Sequence, residues 1–290
     1  MPQPFPLSGR TALITGVSRR RGIGFAIART LAELGASVFF QHHRPHDLAQ
    51  PWGADDLDDV RAGIGEALTP GALSGDHAVD LADADRVPEL IDTALSLTGN
   101  PDILVCNHAH SGGDGGILDM TADRLDKAWE VNTRSPLLLP AEFARRLSGH
   151  RPSEAQRPGD RVAGAKPFSK PVGRVFWMTS GQADGPLRGE VAYATSKAAL
   201  AGVTATVAAE LLELGIILNT VNPGPVNTGY LDASTTDRSV EQLEAVERAM
   251  PFGRFGQPQD PANLIGWLCT DAGAWIVGQV LTSDGGFNLR

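Results

Sequence analysis

Cysteine is almost missing from this sequence. Cys106 and Cys269 stand alone among 290 residues, with no CxxC pair. That excludes a disulfide framework and a cysteine-based zinc site. Their apolar neighbours suggest buried, reduced thiols in a reducing compartment. Positive charge is also short: 25 Lys and Arg against 34 Asp and Glu leave a net charge of −9. A nucleic-acid or anionic-membrane partner usually needs the opposite balance. No apolar run approaches the ~20 residues of a membrane span. Met1 to Arg10 holds three prolines and no apolar stretch of the signal-peptide kind. The expectation is a cytoplasmic protein with neither a nucleic-acid nor a membrane partner.

What is present is alternation. Short apolar runs that read as strands fall at Thr11–Thr15, Ser37–Phe40, His77–Leu81, Asp102–Asn107, Arg174–Thr179, Ile216–Val221 and Gln279–Thr282. Helical spacing occupies the gaps, notably Phe25–Leu34, which stops at Gly35, and residues 121–147, 191–213 and 260–271. The strands lack apolar/polar alternation, as expected when helices cover both faces of a sheet. The pattern predicts an α/β fold: a single-domain, doubly wound parallel sheet of about seven strands spanning 1–290. Residues 148–172, rich in Arg, Pro, Gly, Ser and Lys, read as a surface-loop insertion, and about 228–250 as a lid. Residues 41–76 are long for a strand-to-strand connection.

Two patterns carry chemistry. The first strand runs into Thr15-Gly16-Val17-Ser18-Arg19-Arg20-Arg21-Gly22-Ile23-Gly24 and then directly into a helix. Glycines there let the backbone turn sharply and approach a pyrophosphate lying on the helix N-terminus. Taken alone, such glycines also simply make turns. The second pattern is Tyr193-Ala-Thr-Ser-Lys197 on a helix, where positions four apart share one face. A phenol titrates near pKa ~10 and is a poor acid–base at neutral pH, but a neighbouring ammonium favours the phenolate. Ser180 ends the fifth strand, at the carboxyl edge where α/β sheets build their sites.

Together these residues resemble the short-chain dehydrogenase/reductase family along nearly the whole chain. The glycine loop looks like the family's TGxxxGxG, and Tyr193 and Lys197 like its YxxxK. Ser180 lies at the usual distance before the tyrosine, and Asn132 matches the fourth member of the catalytic tetrad. The resemblance implies a Rossmann-type fold. It places Gly16, Ser18, Gly22, Ile23 and Gly24 at the cofactor pyrophosphate, Asp80 and Leu81 at adenine, and Asn107 and Ala109 at the ribose. Asn222-Pro223-Gly224-Pro225-Val226-Asn227-Thr228 looks like the family's PG segment, with Val226 and Thr228 at the nicotinamide carboxamide. Pro251–Gly256 and Gly278–Gly286 look most like the 3-oxoacyl-carrier-protein reductase branch.

The resemblance implies hydride transfer with Tyr193 as general acid, Ser180 orienting the carbonyl oxygen, and Lys197 holding the ribose and lowering the tyrosine pKa. It implies that Asn132 fixes a water, and that the protein is a homotetramer or homodimer. The substrate is then a small carbonyl or alcohol, carrier-bound acyl included, with an alcohol, sugar or steroid dehydrogenase running oxidatively as the rival. A non-catalytic NADP(H)-sensing protein has no need of the intact tetrad. A purely structural α/β module leaves the glycine loop unexplained.

The cofactor is expected to be NADP(H). NAD-specific sites usually place Asp or Glu at the end of the second strand, whereas this one ends Phe39-Phe40-Gln41-His42-His43-Arg44. Arg21, directly before Gly22, and Arg44 are the expected 2′-phosphate ligands, with Arg19 and Arg20 behind them. Three departures from the family stand out. Five residues separate Gly16 from Gly22 where three are usual. NNAG reads Cys106-Asn107-His108-Ala109. His108 and His110 share one face of an extended chain, but no third metal ligand is visible, so no metal is expected and both histidines should shape the pocket wall.

Overall fold

A computed structural model describes residues 5–99, 101–149, 159–160, 167–236 and 238–289. Seven parallel strands form one sheet in the order β3-β2-β1-β4-β5-β6-β7: β1 (Thr11–Ile14), β2 (Ser37–His42), β3 (Ser74–Ala78), β4 (Ile103–Cys106), β5 (Gly173–Met178), β6 (Ile216–Asn222) and β7 (Val280–Thr282). Helices α1 (Ile23–Glu33), α2 (Arg44–Leu48), α3 (Leu57–Gly65), α4 (Val87–Thr98), α5 (Ala122–Trp129), α6 (Ser135–Ser148), α7 (Val191–Glu213), α8 (Val240–Ala249) and α9 (Gln259–Cys269) complete it.

The central strands are apolar throughout because alternate residues serve different layers. Leu13, Leu104, Val175 and Leu218 stand abreast in register and pack with the buried faces of α4, α6 and α7. Their neighbours Ile14, Val105 and Phe176 join the opposite core with α1, α3 and α9. All seven are essentially inaccessible, and each buried side chain of this size contributes roughly 1.5–3 kcal/mol. Strand order reverses between β1 and β4, and such a switch point opens a cleft at the carboxyl ends.

The third strand is a correction. It occupies Ser74–Ala78, upstream of the expected His77–Leu81. As an edge strand it pairs only with β2, Val38 opposite Ser74 through His42 opposite Ala78. The apolar Val79 and Leu81 are buried past its end, under α4, so the hydrophobic signal marked a packed turn. Asp80 therefore sits in a loop. The helix expected over 121–147 is α5 and α6 joined by a π-helical turn at Glu130–Arg134. The region about 228–250 contains α8, closed by a Ser239–Gln242 capping box. Much of the 148–172 insertion lies outside the described residues. The described ends, Gly149 after α6 and Lys170 paired with Asp271 at 3.0 Å before β5, mark the amino edge of the sheet. No described helix is long and apolar enough to cross a membrane.

Candidate active site

The glycine loop turns between β1 and α1 against the end of β4. Gly16 adopts φ +74°, and a Cβ there would stand 2.6 Å from His108 Cα; one on Gly24 would stand 2.6 Å from Asn107 Nδ2 and from Gly16 O. Glycine is required at both because backbone packs directly on backbone. Asn107 Nδ2 closes the seam by donating to Thr15 O and Gly16 O, 3.1 Å each. Helix α1 begins there with no side-chain cap and no acidic residue in its first turn, which leaves orphan amides of the kind that hold a phosphate.

Below the loop lies a cavity of about 910 Å³. Of the site residues singled out from the sequence, all but Arg20, Arg21, Gly24, Arg44 and Asn132 line it. Gly24 is the packing position just described. Asn132 sits within the π-helical turn, wholly buried. Its Oδ1 accepts the His110 amide at 2.7 Å, and its Nδ2 donates to His110 O at 3.0 Å and to Ser196 Oγ at 3.1 Å. Ser196 in turn donates to Tyr193 O at 2.7 Å. Asn132 thus clasps the loop after β4 to the helix that carries the tyrosine.

Tyr193 and Lys197 lie one turn apart on α7. Lys197 is 2% exposed, and its ammonium donates to Met178 O at 3.0 Å and stands 5.8 Å from the Tyr193 ring centroid. Burial brings Lys197 down to about 8. Burial pushes the Tyr193 phenol up to about 12, against the pull of a hydrogen bond with Ser180. The expected lowering of the phenol by Lys197 is therefore corrected: desolvating a phenolate outweighs the neighbouring groups here.

His108 lines the cavity wall, as expected, but its ring nitrogens are turned inward. Its ring lies in the interior between Thr15 Oγ1 and Ser135 Oγ, 2.6 Å from each. Both hydroxyls are themselves anchored to backbone, Ser135 Oγ donating to Val131 O and Thr15 Oγ1 to Val105 O. Burial lowers this imidazole to about 3 and keeps it neutral. His110 does face the cavity, with its ring 5.0 Å from that of His46. Among the described residues no group of three or more His, Cys, Asp or Glu gathers as a metal site.

The arginines are arranged differently from the expectation. Arg21 is 63% exposed and pairs with Asp232 at 2.8 Å, outside the cavity. Arg20 pairs with Asp55 and Asp59. Arg19 is the one that enters the cavity wall, paired with Asp47 at 3.0 Å. Arg44 stays outside the lining, but its Nε is buried without a hydrogen-bond partner at the end of β2. The expected Arg21–Arg44 clamp is not assembled, because Asp232 draws Arg21 away.

One residue escaped sequence reasoning. Asp114 Oδ1 accepts the amides of Gly115 (2.7 Å) and Ala192 (3.1 Å), its Oδ2 accepts the amide of Tyr193 (2.7 Å), and Gly115 O accepts Val191 N. Helix α7 has no side-chain cap of its own and no acid in its first turn. Asp114 supplies both from 78 residues away, a distance no capping pattern spans.

A dinucleotide-type α/β fold with tyrosine, lysine and serine gathered at its switch point defines a nicotinamide-dependent oxidoreductase. The family model described as "Enoyl-(Acyl carrier protein) reductase" matches residues 16–153 and 161–288. The chain is 36% identical to the "Uncharacterized oxidoreductase YjdA" of Bacillus subtilis, covering 96% of each. It is 32% identical to the "NADPH-dependent aldehyde reductase-like protein, chloroplastic" of Arabidopsis thaliana, over 98% of this chain and 96% of that one. It is 30% identical to a 3-oxoacyl-[acyl-carrier-protein] reductase of Rickettsia conorii, over 97% of each. Among solved structures it is similar to a short-chain dehydrogenase/reductase from Serratia marcescens, with 30% identity, TM-score 0.76, and 98% and 99% of the two chains covered. The chain belongs to the short-chain dehydrogenase/reductase family and is an oxidoreductase using a nicotinamide cofactor.

Proposed function

We propose that the protein reduces a ketone or aldehyde, of 3-oxoacyl or similar type, to an alcohol with NADPH. The observation that carries this is convergence: Ser180, Tyr193 and Lys197 share one cavity with the glycine loop and the PG segment. When bound, the cofactor supplies a hydride to the carbonyl carbon. The protein supplies the rest. Tyr193, protonated at neutral pH by its burial, donates its proton to the developing alkoxide. Ser180 hydrogen-bonds the same oxygen. Lys197 presents a buried cation beside the tyrosine and a donor toward the ribose, and Asn132 and Asp114 hold the tyrosine helix in place. In the cofactor cradle, Ser18, Gly22 and Ile23 take the pyrophosphate, Asp80, Leu81, Asn107 and Ala109 the adenosine side, and Pro223, Gly224, Val226 and Thr228 the nicotinamide.

NADP(H) is favoured over NAD(H) because no carboxylate ends β2, where Arg44 follows with a buried, unpartnered Nε. Release of Arg21 from Asp232 would bring a second cation. The Arabidopsis relative is named NADPH-dependent, which is in keeping with this. The reading carries with it a homotetramer or homodimer working in the cytoplasm, in line with two buried free thiols.

The test is NADPH oxidation with a panel of ketones and aldehydes, in wild type and in Tyr193→Phe. The variant should lose on the order of 10³-fold in kcat while binding NADPH within about threefold, because only the proton donor is removed. A variant that keeps most of its turnover sinks the mechanism.

A further inference from the structure

The glycine loop is two residues longer than the family's, and the connection after β2 is also long. In the structure the two meet. From the loop, Arg19 forms an ion pair with Asp47 at 3.0 Å and places its guanidinium 5.6 Å from the centre of the Trp52 ring. It also donates to Thr228 O at 2.7 Å. Ser18 hydrogen-bonds Asp47 as well. The segment from Arg44 to Trp52 thereby lies along the cavity as a strap, tied through Asp47 to the glycine loop, with Trp52 against Gly229 and Tyr230 just past the PG segment.

The strap reaches the reacting end. Its His46 ring lies 5.0 Å from that of His110, whose backbone Asn132 holds. A Cβ placed on Gly112 would stand 3.0 Å from Gln50 Oε1. Gln50, His110, Ser111 and Tyr193 line one side chamber of about 300 Å³. Trp52 meets Tyr230 edge-on at 6.3 Å, and its indole N–H is buried without a hydrogen-bond partner.

We propose that the strap is a wall of the substrate chamber, that Arg19 locks it there, and that His46 and Gln50 are specificity-determining residues for a small carbonyl compound bearing neighbouring hydroxyl groups. The inference rests on the reading of the cavity as a carbonyl-reducing site. The chemistry follows from the groups on offer. In the chamber shared with Tyr193 the wall presents the His110 imidazole, the Gln50 amide and the Ser111 hydroxyl, with the His46 imidazole against His110 in the main cavity, and such groups hydrogen-bond oxygens next to a carbonyl. An alkyl chain would leave them unpaired, and a site built to bond a hydroxyl discriminates strongly against the analogue lacking it.

The experiment compares glyceraldehyde with propanal, using NADPH, in wild type, Gln50→Leu, His46→Leu and Gln50→Asn. Wild type should favour glyceraldehyde in kcat/KM by at least tenfold. Each leucine variant should lower that ratio at least tenfold, and Gln50→Asn should restore part of it, which a purely structural role of the strap would not do. Cleavage at Trp52 by chymotrypsin, read by mass spectrometry, should accelerate about tenfold in Arg19→Leu. Turnover of both aldehydes with a ratio near one, or a ratio unmoved in both leucine variants, overturns the wall while leaving the carbonyl-reducing function standing. An unchanged cleavage rate overturns the lock. NADPH binding without turnover of any carbonyl in the wider panel overturns the function and the inference with it.

Discussion

The two ends of the cavity are built from different materials. Around Tyr193 the scaffold groups are buried and largely uncharged, and they are bonded to backbone or to a fixed partner: Asn132 to His110 and Ser196, Lys197 to Met178, His108 to Thr15 and Ser135. Around the glycine loop the ties are ion pairs, Arg19 with Asp47, Arg20 with Asp55 and Asp59, Arg21 with Asp232, several of them well exposed. Exposed pairs contribute ~0–1 kcal/mol each and exchange partners readily, whereas a buried polar group that loses its partner costs ~1–3 kcal/mol. The tyrosine end is therefore pre-set. The arginine end can re-pair when a phosphate arrives, which allows Asp232 to hold Arg21 outside the cavity without ruling Arg21 out as a phosphate ligand.

The largest effect that sharpens this contrast is in stability. The His108 imidazole is held neutral down to about 3, below its unfolded value near 6.5. Between those values the unfolded chain binds a proton that the folded one refuses, so stability falls as pH falls. From pH 6.5 to 4.5 this term amounts to ~2.3 kcal/mol, approaching ~1.36 kcal/mol per unit at the lower end. Urea unfolding across that range should show His108→Ala losing about one proton's worth of slope relative to wild type, whatever its absolute stability. Equal slopes would contradict a neutral, buried His108.

Next is Asp114. Asp114→Ala frees the amides of Ala192 and Tyr193 and should lower kcat by tenfold to a hundredfold, with NADPH affinity from fluorescence titration within about threefold. A change confined to cofactor affinity would move Asp114 to the other end of the comparison. Smaller still is Arg44→Ala. It should cut the NADPH-over-NADH ratio of kcat/KM by about tenfold, one charge-assisted contact at ~1.5–3 kcal/mol partly replaced by its mobile neighbours. An unmoved ratio would break the assignment of Arg44. The smallest effect is expected from replacing residues 150–166 by a short linker. Its described flanks lie at the amino edge of the sheet, away from the cavity, so kinetic constants should stay within about threefold. A larger fall in a folded variant would place that segment at the site or at a subunit contact.

The difference between the ends also explains what could be read in advance. The Tyr193–Lys197 pair, Ser180 and the glycine loop follow from local rules: one helical turn, one strand end, one tight turn. Each was legible because a short contiguous stretch fixes the geometry. The displaced third strand was misread because burial of Val79 and Leu81 comes from α4 and not from sheet pairing. The tyrosine pKa was misread because proximity to Lys197 is visible in a sequence, while the depth of burial around the phenol is not.

By itself, the sequence determined the parallel, doubly wound architecture, the family, and the residues that gather at the switch point, because apolar periodicity and short-range spacing constrain backbone direction. Only the tertiary structure decided which charges meet. Asp114 capping α7, Arg19 tying the strap, Asp232 holding Arg21, and the inward turn of His108 all join groups at least 27 residues apart in the chain. Such pairings depend on where loops cross in space, and nothing in local propensity records that.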